Sequence, residues 1–422
     1  MNVRVFLVFI LNIFFHENSL CNVKLDSLTN YNIIKSIIFK NIDQNYQFPI
    51  ININEKFFLS FDDIGNQDND YYYKIYHYDY NWKKSKLFKN EYLHGFDNRR
   101  ITQVKSSFGT KQTYNNYKLE LPNDELKFLK TGNYKIKIFD IDDKLIFERK
   151  FLIVDQKIKI NSKINRSSNI NNIGTHQRIN FIIEPIDFFI RDPENEIKIL
   201  IIQNFQWDNI MDDISPTFKI NNQIHYVNNN LLEFEGGNEY YNFDNKDIRV
   251  ENQNISYVSN DEKYHTYLYT NIEKKLYPYT FDQDINGDFK ISTTLGDDTE
   301  IEADYSFVHF SLARTKYNVN ESIYVYGNFN NYELSEENLM KFNPSLDLFE
   351  KRILLKQGFY NYKYILKKND SIKKNLISGS HYRTENSYQI FVYYKSAGSN
   401  FFSLIGFDNL NSFNINNSNL SQ

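Results

Sequence analysis

The residues best suited to chemistry in this 422-residue sequence are its eight histidines: His16, His77, His94, His176, His225, His265, His309 and His381. No two of them stand four apart, so no helical turn could offer a zinc ion a histidine pair. The spacings that nucleophilic hydrolysis, zinc hydrolysis and phosphate cradling require are also missing: there is no G-x-S-x-G, no H-E-x-x-H, no P-loop and no G-x-G-x-x-G after a strand. Asp and Glu are numerous, but no spacing singles out a pair for glycosidic cleavage. The expectation is a protein that is not an enzyme, with no catalytic residues, no cofactor and no metal.

Three stretches have the chemistry of binding. Asp282-Gln283-Asp284-Ile285-Asn286-Gly287-Asp288 sets oxygen ligands at alternate positions ahead of a glycine, as a calcium loop does. Thr293 stands where the closing Glu of an EF-hand belongs, and Asn-Gly is a strong hairpin signal, so a tight acidic turn is preferred. Gly327-Asn328-Phe329-Asn330-Asn331-Tyr332, with Gly358-Phe359-Tyr360-Asn361-Tyr362-Lys363-Tyr364 further on, resembles the early-set sandwich of glycogen-binding modules, with Tyr332 in place of the usual Trp. Tyr332 and Lys363 are thus a candidate glycan platform, set against ordinary packing of core and turns. The third stretch is Tyr71-Tyr72-Tyr73-Lys74-Ile75-Tyr76-His77-Tyr78-Asp79-Tyr80, followed by Glu91-Tyr92-Leu93-His94-Gly95-Phe96-Asp97. Strand alternation puts Tyr71, Tyr73, Ile75, His77 and Asp79 on one face and Tyr72, Lys74, Tyr76, Tyr78 and Tyr80 on the other. Both faces are aromatic, so one of them either meets a partner or is buried a second time. Tyr72, Tyr76, Tyr92, His94 and Phe96 are the candidate partner interface.

The elements that position these groups read as strands. Alanine occurs only at 303, 313 and 397, while Ile, Tyr and Phe abound. Tyr117-Lys118-Leu119-Glu120-Leu121 and Tyr134-Lys135-Ile136-Lys137-Ile138-Phe139 alternate strictly, and turn signals recur every 8–12 residues or so, the pattern of a sandwich. The N-terminus reads as a secretory signal: Arg4, an apolar run over 5–15, and small residues before Cys21, the only cysteine. Cleavage after Cys21 leaves no thiol, hence no disulfide. A net charge of -4 implies no nucleic-acid field. No later segment reaches the roughly 18 apolar residues of a membrane span. The expected divisions are 1–21 signal peptide, 22–155 first β-sandwich, 156–302 middle β-domain, 303–407 early-set-like sandwich and 408–422 flexible tail, with the Asn- and Ser-rich 161–172 as a linker or surface loop.

Residues 73–82, 85–88, 91–97 and 117–123, then Gly132-Asn133-Tyr134, Gly236-Gly237-Asn238-Glu239, Glu302-Ala303-Asp304-Tyr305, residues 356–364 and Thr384-Glu385-Asn386, resemble the type IX secretion system plug proteins of Bacteroidota. The likeness runs in order through nearly the whole mature chain. It implies an all-β protein of tandem immunoglobulin-like or early-set sandwiches. The implied protein is exported to the periplasm and sits at the inner side of the outer membrane. Its implied partner is the outer-membrane β-barrel translocon, whose periplasmic opening it closes without catalysis. A periplasmic glycan-binding module is the alternative.

Overall fold

The computed structural model describes residues 33–415 except 43, 45, 54, 66, 67, 228–230, 316–320 and 414. The expected signal segment 1–21, with Cys21 and His16, lies outside the described residues. The fold is all-β, built as three β-sandwiches.

The first sandwich packs two antiparallel-rich sheets. One has the order Ile34–Asn41, Phe57–Asp63, Asn115–Leu121, Gln103–Ser106. The other has the order Ile50–Asn52, Leu145–Val154, Gly132–Phe139, Tyr72–Tyr78, Arg99–Arg100. Alternation decides what lies between them. Tyr71, Tyr73, Ile75 and His77 are buried against Phe61, Tyr117, Tyr134 and Phe151. Phe61 stacks on Tyr117 at 5.3 Å, and Tyr134 on Phe151 at 5.2 Å. Each large apolar side chain so buried stabilises the fold by about 1.5–3 kcal/mol.

The second sandwich begins directly after the first. Ile158–Arg166 is a full strand paired with His176–Pro185 over its whole length. The linker expected over 161–172 is therefore sheet as far as Arg166: Ile158, Ile160, Ser162 and Ile164 share the inward phase and Asn161, Lys163 and Asn165 the outward one, a period that composition alone conceals. The opposing sheet runs Ile210–Met211, Ile197–Gln203, Ser387–Tyr394, Ser403–Asn411.

That order redraws the expected divisions. Residues 241–377 form the third sandwich, with Gly358–Lys368 central to one sheet and Tyr305–Ala313 to the other. Ser387–Tyr394 then returns to pair with Ile197–Gln203 in the second sandwich. The third sandwich is thus an insertion within the second, and neither 302/303 nor 407/408 is a boundary. Ile390 and Val392 complete the second core, and only long-range pairing could reveal that. The expected tail starts inside the last strand, where Asp408 pairs with Ile390, and Ile415 is buried in the second core.

All three sandwiches touch. Phe48, Leu152 and Val154 of the first pack on Leu200, Ile202, Phe391 and Leu404 of the second. Between the first and third, Asp62 accepts hydrogen bonds from Tyr305 Oη (2.6 Å) and Lys356 Nζ (2.7 Å), all three groups being buried.

Candidate functional site

The site is built on the outward face of the first sandwich's second sheet. Tyr72, Lys74, Tyr76 and Tyr78 are half-buried there, opposite in phase to the buried residues of the same strand. The neighbouring strand sets Lys135 beside Tyr76, Lys137 beside Lys74 and Phe139 beside Tyr72. The next strand adds Lys150 beside Lys135 and Glu148 beside Lys137. Rings and ammonium groups therefore interleave. Lys84, Lys89 and Lys137 surround the Tyr76 ring at 5.5, 5.4 and 5.7 Å. Lys135 lies 5.2 Å from the Tyr78 ring and Lys74 lies 4.5 Å from that of Phe139.

Such contacts stabilise by about 0.5–1 kcal/mol at exposed sites. Their larger effect is to hold the lysine stems flat along the sheet, heads outward. Three carboxylates are set into this lattice: Asp143 on Lys74, Asp97 on Lys89 at 2.6 Å, and Glu148, bonded by Lys135 and by Lys137 at 2.9 Å. Burial works to raise the Glu148 carboxyl, but the hydrogen bonds from Lys135 and Lys137 outweigh it and hold the group below the usual carboxylate range. The face is basic although the chain carries a net charge of -4.

One end of this face is covered. Trp82 meets Trp207 of the second sandwich edge-on at 4.8 Å, with Lys150 4.6 Å from the Trp82 ring and 5.2 Å from that of Trp207. Tyr46 stacks on Phe205 at 4.2 Å, and Tyr393 Oη donates to Asn133 Oδ1 at 2.6 Å. The end bearing Tyr72 and Tyr76 is open.

The candidate interface residues divide accordingly. Tyr72 and Tyr76 lie on the open end. His94 and Phe96 are exposed on and just after the ribbon Leu93–Gly95, which pairs with Leu126–Phe128. Tyr92 is the correction: it is buried beside His77 and Tyr134, because its short helical turn Lys89–Tyr92 points it inward. Lys135 and Lys137 are not among the candidate interface residues, although their strict alternation with Tyr134, Ile136 and Ile138 puts them on one outward face. Trp207 had no local signal.

The glycan pair does not form a platform. Lys363 is buried, and Tyr332 is half-buried against Tyr326 at 5.1 Å, its Oη 3.4 Å from the Asn286 carbonyl oxygen. In the acidic turn, Asp284 accepts from the amides of Tyr240 (2.6 Å) and Asn286 (2.8 Å). Asp288 accepts from the Gln47 amide (3.0 Å) and from Asn328 Nδ2 (2.8 Å). These carboxylates are engaged by the protein's own N–H groups, and among the described residues no group of three His, Cys, Asp or Glu could hold a metal ion.

Residues 34–155 match the family described as type 9 secretion system plug protein, first domain. The match coincides with the first sandwich, from the opening residue of its first strand to the residue after its last. The chain belongs to the type IX secretion system plug family. A crystal structure of a hypothetical protein from Parabacteroides merdae is similar over 91% of this chain and 98% of its own, with 32% identity and a TM-score of 0.86. No curated protein matches the chain. The plug family is a secretion-system family rather than a known enzyme family. Among the described residues no helix is long and apolar enough to cross a membrane.

Proposed function

We propose that this plug-family chain is a non-catalytic periplasmic protein that docks on the periplasmic opening of the type IX outer-membrane β-barrel and seals it. The observation that carries the docking site is the open half of the basic aromatic face around Tyr72 and Tyr76, which lies on the very sandwich that matches the plug domain. A half-buried Tyr offers a large contact area at little conformational cost, and lysines steer an acidic partner and fix its register. His94 and Phe96 extend the contact along the adjoining ribbon. The partner surface is accordingly acidic, and three mutually braced sandwiches present the face without reordering on binding.

A photo-crosslinking amino acid at position 76 tests this in cells. It crosslinks to the barrel, whereas the same group at Val104, on the edge strand of the other sheet, does not. Equal crosslinking at both positions, or none at 76, contradicts the assignment.

A further inference from the structure

A polar cavity between the second and third sandwiches has no part in the docking role. Gln203, Asn386, Gly237 and Tyr240 line its buried portion, and Asn209 and Asn375 are half-buried at its rim. Lys363 enters it from the strand Gly358–Lys368. Its ammonium lies 4.0 Å from the centre of the Tyr240 ring, and the residue is only 6% exposed. Among the described residues it finds no hydrogen-bond acceptor. Its neighbours are different. Lys374 bonds Asp208 Oδ1 at 2.6 Å and Gln206 Oε1 at 3.1 Å, and Lys274 bonds the carbonyls of Glu239 and Tyr240 at 3.0 and 3.3 Å.

A buried ammonium with three unspent N–H groups is among the costliest features a fold can keep. Burial draws its pKa down to about 8 despite the attraction of Asp284 and Glu239. The backbone preserves the space beside it. Gly237 has φ +65°, and a Cβ there would stand 3.0 Å from Asn375 Oδ1 and 3.3 Å from Lys363 Nζ.

The chemistry of a guest follows from the lining. Lys363 can only donate. Asn375, Gln206 and Asn209 each donate one side-chain N–H within the protein, to Glu235, Tyr240 and Gln203, and each carboxamide has a second. The guest must therefore be rich in acceptors. One negative charge answers the Lys363 ammonium, and a second is disfavoured because Asp208, Asp284 and Glu239 stand nearby and oppose a doubly charged phosphate. We propose that this cavity is a receptor site for a single carboxylate group, held by Lys363 and flanked by the Asn375 and Gln206 carboxamides. Stretches distant in sequence, 236–237, 363 and 386, converge there.

A free small acid and the C-terminus of a polypeptide share this chemistry, and the test separates them. The full chain is titrated by calorimetry with acetate against chloride at equal ionic strength, then with a short neutral peptide bearing a free C-terminus and with its amide. Saturable acetate binding without peptide binding assigns a free acid. Tighter binding of the free-terminus peptide than of either its amide or acetate assigns a polypeptide end. Lys363→Met weakens either response at least about tenfold, the loss expected with a charge-assisted bond. No saturable response, or one unchanged in Lys363→Met, overturns the proposal. Should that variant not fold, crystals of the unaltered chain grown in acetate decide: a carboxylate within hydrogen-bonding distance of Lys363 Nζ supports the site, and water alone there overturns it.

Discussion

Glu239 shows how single residues tie this fold to pH. Burial raises its carboxyl to about 7; the Tyr279 hydroxyl, donating at 2.5 Å, pulls it back, and Asp284 pushes it up again. A carboxyl with a raised folded pKa contributes stability that is complete below about pH 4.5 and is lost as pH rises through about 7. His77 and His309, both lowered to about 4 by burial, act in the opposite sense over part of this range. The prediction therefore concerns a difference. Relative to the unaltered chain, Glu239→Gln gains on the order of 2–3 kcal/mol between pH 5 and pH 8. Thermal unfolding of both proteins across that range checks it; a constant offset contradicts it. The outer face responds differently. Tyr76→Ala with Lys84→Glu removes one half-buried ring with its three lysine contacts and reverses one exposed charge, so unfolding free energy falls by about 1–3 kcal/mol while the sandwich stays folded. A docking defect in that variant is then not a folding defect.

Among the elements, the ribbon Leu93–Gly95 is the most exacting. Gly95 sits at φ +98°, and a Cβ there would stand 1.8 Å from the Glu125 carbonyl oxygen. Gly95→Ala must displace the partner strand Leu126–Phe128, at a cost of about 1–3 kcal/mol or more. Hydrogen exchange should quicken at Leu93 and Phe128 while the amide of Phe151 remains protected; uniform protection would show that the ribbon accommodates the change. Elements of this kind were legible where the period was clean. The alternation from Tyr71 separated two faces, and the structure buries the one bearing Tyr73, Ile75 and His77 and leaves the other half-buried, while Asp79 and Tyr80 fall beyond the strand's end. It failed where composition was read in place of period, as in Ile158–Arg166, whose Lys159, Asn161, Lys163 and Asn165 are its outward half. The turn carrying Tyr92 is too short to show a helical period, so its inward direction could not be read. For Lys363 the sequence offers a glycan platform or ordinary packing and cannot choose, because strand propensity says nothing about which sheet faces another domain.

At the scale of the whole molecule, the likeness to the plug family takes on a spatial meaning. Outside the first sandwich, the stretches that carry it lie at the joints. Asp304 accepts the amides of Lys111 and Gln112 (2.6 and 3.1 Å), Lys356 meets Asp62, and Thr384 Oγ1 donates to the Gly237 carbonyl oxygen at 2.7 Å. These contacts tie the three sandwiches to one another. Asp62→Ala leaves the Lys356 ammonium buried without its carboxylate, and should cost about 3–5 kcal/mol. Limited proteolysis should then cut between the first and third sandwiches; an unchanged pattern and midpoint would show that the pair is dispensable. Nothing in the sequence linked Asp62 to Lys356, since they lie 294 positions apart. On the proposed function, the open face around Tyr76 holds the barrel. The most direct measurement of this is retention of the barrel from detergent-solubilised outer membranes on the immobilised chain, compared with the Tyr76→Ala, Lys84→Glu variant. The unaltered chain is expected to retain the barrel stoichiometrically, and the folded variant to lose at least about tenfold. A barrel that purifies without the chain, or that both proteins retain equally, would contradict it.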